Sequence, residues 1–413
     1  MLKFIKSNTM LLTVLYLVLN FIYITVSQEY AYMFTKFTCE FQLDKFLFSS
    51  LWIVLLIFLS RYISSNFIYF VYVLTLILIF FGEAICFQYN IDSNSIVLNT
   101  VGCALVVMFL LQNIKIKIRP TKISGKKSEI LLNILVFILF IPFVIYYIKY
   151  INIKNLLLID VYETRALFRT VSNQFTGYLE APLVRILLPY LIIRSYTEKK
   201  WSKVIIFCIM VLYIFLCGAL KSIYFGLLAA IYFYKRTYRE KITFFLVSLN
   251  IAGIVGYFAN YFFGIRGIVN IIRRIFFVPP RLGTFYTEFF KGNYTYMSHS
   301  PFGLGIVPNK YGDLSLYFGT NIMNEPGLNA NVGIFVEGFI SFGIIGCLLI
   351  IILFNILITY FNSLNVNPMY AGIIFVYIYY LNTAFLSTLL LTHGLLFLIF
   401  FAYLYLRKKK INT

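Results

Sequence analysis

Two arginine clusters hold the residue types best suited to chemistry. In DVYETRALFRTVSNQFTGYLEAPLVR, Arg165 and Arg169 lie one helical turn apart, so a helix projects both from one side, with Asn173 a further turn along. Asp160 and Glu163 stand just upstream. In GIRGIVNIIRRIFFVPPRLGTFYTEFF, Arg266, Asn270, Arg273 and Arg274 fall within one helical stripe of roughly 100°. Pro279 and Pro280 are expected to end that helix, and Arg281 follows immediately. Guanidinium groups are planar and permanently charged, and pairs of them can grip a phosphate or diphosphate at two points. The plainer alternatives are a solvated helix with internal ion pairs to Asp160 and Glu163, and an amphipathic helix resting on a membrane surface.

Other candidates are single residues. Arg185 lies about a turn inside an apolar run, between Pro182 and Pro189. A charge there is either functional or snorkels to the nearby interface. The stretch TYMSHSPFGLGIVPNKYGDLSLYFGT mixes aromatic faces with short polar groups, which suits sugar binding and also suits ordinary turns. His299, Asp313 and Glu288 are its local candidates for proton transfer. Glu83 sits at the end of an apolar run, where it is expected to reach water.

These residues are positioned by a chain that cannot be water-soluble. Of 413 residues, 61% are hydrophobic and 12% charged, with a mean hydropathy of +0.87; soluble domains carry about 25% charged residues. Candidate spans run over 8–26, 46–60, 66–83, 95–114, 130–148, 182–195, 203–218, 222–235, 242–263, 332–360, 369–385 and 388–406. The chain is therefore expected to be an all-α, polytopic membrane protein, one transmembrane domain over 1–413 with about twelve helices. Lys3, Lys6, Arg61, the run from Lys115 to Lys127, Arg194 to Lys203, Lys235 to Lys241 and Arg407 to Lys410 fall in alternate loops. The positive-inside rule makes those loops, and both termini, cytoplasmic. The first apolar run then reads as an uncleaved helix rather than a secretory peptide.

Two long loops remain on the opposite face, 149–181 and 264–331, and both are cationic against that trend. The net charge of +20 therefore concerns membrane topology and outer-face anions, not nucleic acid. Six cysteines without a CxxC pair and two histidines indicate neither a disulfide framework nor a metal centre, and no cofactor is expected.

Taken together, the topology, the Glu163/Arg165/Arg169 segment, RRIFFVPPRLGTFYTEFF and NANVGIFVEGFISFGIIG resemble the O-antigen polymerase (Wzy-type) family of bacterial repeat-unit polymerases. Arg281 and Gly292, with ten residues between them, match an arginine–glycine spacing found in some members, whereas the glycine after Arg165 is one place out of register. Asn329, Asn331, Gly333, Gly338, Gly343 and Gly346 match an Asn-containing segment that leads into a Gly-rich helix start. The resemblance implies a membrane glycosyltransferase fold. The implied reaction joins two undecaprenyl-diphosphate-linked oligosaccharides on the outer face of the inner membrane, with undecaprenyl diphosphate as leaving group. It implies diphosphate binding by Arg165, Arg169, Arg273, Arg274 and Arg281, with Arg266 and Arg185 behind them, and a base drawn from Glu163, His299, Asp313 and Glu337. A chain-length regulator is the partner such enzymes usually have. The absence of a DxD-like motif from the outer loops agrees with a metal-independent reaction. The alternatives are a lipid-linked oligosaccharide flippase and an O-antigen ligase. Ligases usually place a His-Asn pair where this chain has Asn329, Ala330 and Asn331, and flippases bury their cations among the spans.

Overall fold

A computed structural model describes residues 2–30, 37–118, 126–157, 161–171, 174–218 and 221–407. The chain is helical where the apolar runs fall. In order, the helices are α1 (Leu2–Glu29), α2 (Leu43–Ser60), α3 (Asn66–Tyr89), α4 (Ile96–Leu110), α5 (Lys126–Tyr147) and α6 (Val161–Val171). Then follow α7 (174–197), α8 (Trp201–Gly218), α9 (Lys221–Tyr232), α10 (Tyr238–Phe263) and α11 (267–289). The last are α12 (Leu314–Tyr317), α13 (Ile334–Ser363), α14 (Pro368–Tyr380), α15 (Leu386–Leu390) and α16 (Leu395–Leu406). Eight are long and apolar enough to cross a bilayer; α4, α9, α14 and α16 are apolar but shorter. The protein is a membrane-embedded, all-helical chain, and among the described residues its only β pairing is a bridge between Val366 and Arg407.

Two compact units are present. Unit 1 comprises Met1–Ile116, Tyr238–Asn362 and Ile378–Ser387; unit 2 comprises Lys117–Thr237, Ser363–Tyr377 and Thr388–Thr413.

Unit 1 is built around α3, which is buried from Phe67 to Gln88, whereas α1, α2 and α10 keep broad apolar faces outward. A helix that is apolar all round belongs in the interior; one-sided burial leaves the other face for lipid. Ser65 caps α3 by accepting from the Ile68 N–H. Polar side chains stitch α3 to its neighbours: Tyr16 donates to Gln88 at 3.0 Å, and Gln88 donates to Asn20. Within low-dielectric surroundings such satisfied groups fix register. Glu83, expected at a span end, is instead enclosed, because α3 continues more than a further turn to Tyr89.

The expected span 332–360 is broken. Phe342 (φ −142°) and Gly343 (φ +62°, ψ −138°) leave helical geometry, so α13 is a short helix, 334–341, followed by a long one, 344–363. The two pieces touch at Gly338 and Gly346, where a Cβ on Gly346 would overlap the Gly338 carbonyl. The carbonyls of Ile340 and Ser341, which the break deprives of helical partners, accept from the Thr295 N–H (2.8 Å) and the Tyr296 N–H (3.0 Å).

In unit 2, Pro142 interrupts the ladder of α5, and a π-helical stretch, Pro182–Leu187, lies inside α7. The expected span 182–195 thus begins earlier, and the loop expected over 149–181 is itself largely helical where described.

Candidate functional site

The second arginine segment forms one continuous helix, α11, instead of ending at the prolines. A π-helical turn at Arg273–Phe277 resets the hydrogen-bond ladder. Pro279 and Pro280 therefore fall in the first turn of the following α-helical stretch, where a missing N–H costs little. The expected arginine stripe is split. Arg273 is buried with its guanidinium 4.3 Å over the Tyr30 ring, while Arg274 is exposed. Adjacent helical residues point about 100° apart, which separates the two. Arg266 is also exposed, 3.6 Å from Glu29, whose other oxygen accepts from Asn260 at 2.8 Å.

Arg281 is the most enclosed arginine of the segment. Gly82 lets the α3 backbone approach the Phe276 carbonyl so closely that any Cβ would overlap it. This contact lays α11 along the end of α3. Arg281 then reaches Asp92 in the α3–α4 loop: Nη1 donates to Oδ1, and Nη2 donates to Oδ2 at 2.8 Å. The arginine side chain is 2% exposed, the aspartate 45%. Phe285 covers the guanidinium face at 4.5 Å. Lys45 fixes the same loop by donating to the carbonyls of Asn90 (2.9 Å), Ile91 (2.9 Å) and Ser93 (2.8 Å). Asn94 ties it to α11 through Thr287 (2.8 Å) and Glu288 (2.9 Å). The enclosed Glu83 faces α11 too, with Oε1 4.0 Å from where a Cβ on Gly283 would stand. The result is a positive group held in low dielectric and paired with a carboxylate that is itself half exposed. Such a group can hold an oxyanion in place of that carboxylate without itself moving.

The candidate bases part company. His299 and Glu337 meet: Nε2 lies 3.3 Å from Glu337 Oε1, and both side chains are 1% exposed. The second Glu337 oxygen accepts from the Leu386 N–H, and His299 Nδ1 lies 3.1 Å from Thr295 Oγ1. The pair joins three chain segments and is shut off from solvent. Asp313 caps α12, accepting from the Ser315 N–H (3.0 Å) and Leu316 N–H (3.1 Å). Asn329 and Asn331 are exposed in the extended stretch before α13. Gly333, just beyond, packs directly against the Leu381 carbonyl.

The first arginine segment belongs to unit 2. Glu163 is exposed on α6; Asp160 and Asn173 lie outside the described residues, as do the side chains of Arg165 and Arg169. Arg185 is enclosed on the π-helical stretch of α7, and α9 packs against its backbone at Gly226.

Sequence reasoning missed Lys45, Asp92 and Asn94. Their only signal was polarity in short loops on the same predicted face as Arg281. Set against family models, curated proteins and solved structures, the chain matches none.

Proposed function

We propose that the protein polymerises undecaprenyl-diphosphate-linked oligosaccharide repeat units into O-antigen or a related surface polysaccharide. It works on the outer face of a bacterial inner membrane, with both termini cytoplasmic. The observation that carries this reading is Arg281: a buried, preoriented guanidinium bonded at two points to a water-accessible carboxylate. Arg61 and Arg239 bond around the ends of α1 and α3 remote from it, at Thr9 and Asn66, as the positive-inside rule asks of a cytoplasmic side.

In the proposed reaction a sugar hydroxyl of one repeat unit attacks the anomeric carbon of the growing chain. The new C–O bond forms as the bond from that carbon to the diphosphate breaks. Arg281 takes up the charge that develops on the leaving group, with Arg274 on the exposed side of α11 and Arg266 just before its start. As the diphosphate displaces Asp92 from the guanidinium, the freed carboxylate accepts the hydroxyl proton. The His299–Glu337 pair, being enclosed, holds the loop and α13 together. The repeat-unit lipid lies along the apolar helix faces.

The test is the glycan ladder of a deletion strain carrying the parent gene, Arg274→Ala or Arg281→Lys. The parent is expected to restore long chains, and each variant to leave single repeat units on lipid A-core. Long chains in both variants would overturn the site. Loss of single-unit capping on deletion would point to a flippase or a ligase instead.

A further inference from the structure

We propose that the tip of the 294–306 loop dips into the lipid bilayer at the Arg281 end of unit 1. Leu304 is 82% exposed and Ile306 80%, with Phe302 beside them at 42%. Three large apolar side chains on one short turn, held out from the protein, mark a contact surface rather than scattered exposure. Leu304 has φ +50° and Gly305 φ +69°, so the backbone makes a left-handed turn at the tip.

Continuity with the lipid-facing surface identifies the occupant. Gly303 packs directly on the Met297 carbonyl, where a Cβ would overlap, which ties the turn to the preceding strand of loop. The next residue back, Tyr296, is half exposed and meets the Phe342 ring at 6.1 Å. Phe342 stands at the break in α13, with Gly343 between it and Ile344 (74% exposed) and Ile345 (66%). Those two begin the outward apolar face that continues through Leu348, Leu349 and Ile352. The tip is therefore joined, contact by contact, to the level where the long part of α13 starts. Tyr296 and Phe342 sit at that level as interfacial aromatics do. A lipid surface fits this arrangement, since the apolar tip extends a face that α13 already presents to acyl chains.

The test places a reporter at the tip of the full-length protein. Leu304→Trp and Ile306→Trp are each reconstituted in phosphatidylethanolamine/phosphatidylglycerol vesicles, with and without bromine on the upper acyl chain. The parent, which holds Trp52 and Trp201, supplies the background. Leu348→Trp serves as the lipid-facing control. Substitution at such exposed positions displaces no neighbour, and either tip variant alone suffices. The emission added at 304 or 306 is expected to fall at least twofold in brominated vesicles and to resist acrylamide added in water. Added emission that ignores bromine and is quenched by acrylamide would overturn the proposal. The readout involves no sugar chemistry, so its failure leaves the proposed reaction untouched.

Discussion

Arg281 and Asp92 form a two-point ion pair in which the guanidinium is sealed from water and the carboxylate is half open to it. The asymmetry sets the order in which the pair can be broken. Removing the aspartate takes a two-point carboxylate partner from a buried charge, whereas an anion arriving from solvent replaces it like for like.

Thermal melts in detergent should therefore show strong coupling between the two residues. Asp92→Asn is expected to destabilise more than the double variant Asp92→Asn/Arg281→Met, with a coupling of about 1–3 kcal/mol. Additive losses would mean the pair is not made.

On the proposed reaction, chain extension measured with purified protein and lipid-linked repeat units should fall about 100-fold in Asp92→Asn and in Arg281→Lys. Near-parental rates in either variant would remove that residue from the reaction.

For Glu337, both of its bonds can be made by an amide, one accepting from the Leu386 N–H and one toward His299. Glu337→Gln should keep its melting temperature within a few degrees and retain polymer. Glu337→Leu leaves His299 without that partner and should lose about 1–3 kcal/mol. Loss of polymer in a stable Glu337→Gln would instead assign the pair a chemical role.

Gly343 has a backbone conformation that side chains avoid, and Tyr294 stands 2.7 Å from where its Cβ would go. Gly343→Ala should cost at least about 1–3 kcal/mol, read as a lower melting temperature and reduced membrane-inserted yield.

In unit 2, burial opposes the charged form of Glu198, but hydrogen bonds from Lys200 and Arg194 outweigh it and hold the carboxyl below its usual pKa. A depressed folded pKa means the contribution is present above the unfolded value, about 4.3, and lost as pH falls through the folded one. Glu198→Gln should thus flatten the acid limb of a melting-temperature profile below about pH 4.5, and added salt should shrink the difference. Parallel profiles at all pH values would show that the carboxylate contributes nothing.

Much of the helical layout was written in hydropathy. The runs ending at Ser60 and Phe263 end as helices at those same residues, because an apolar stretch in lipid has few other ways to satisfy its backbone. Breaks inside such runs left no mark: Gly343 lies among Phe, Ile and Gly that suit an unbroken helix equally well. Pro279 and Pro280 misled because a proline ends one helix and begins another with the same residue type, and the π-helical turn before them decides which. Arg281 was legible as a charge in an outer segment. Asp92 was not, since its partner lies 189 residues away and pairing at that range follows only from packing, here the glycine contact between α3 and α11.

The break in α13 also has a mechanical consequence. Two carbonyls at the end of its short helix accept from the backbone of the Thr295–Tyr296 segment, beside an apolar surface where water cannot easily take over. The loop and the short helix must then travel together, like a lever and its handle. The same short helix carries Glu337, whose carboxylate accepts from the Leu386 N–H, so the loop, the short helix and the segment at Leu386 are bonded in series.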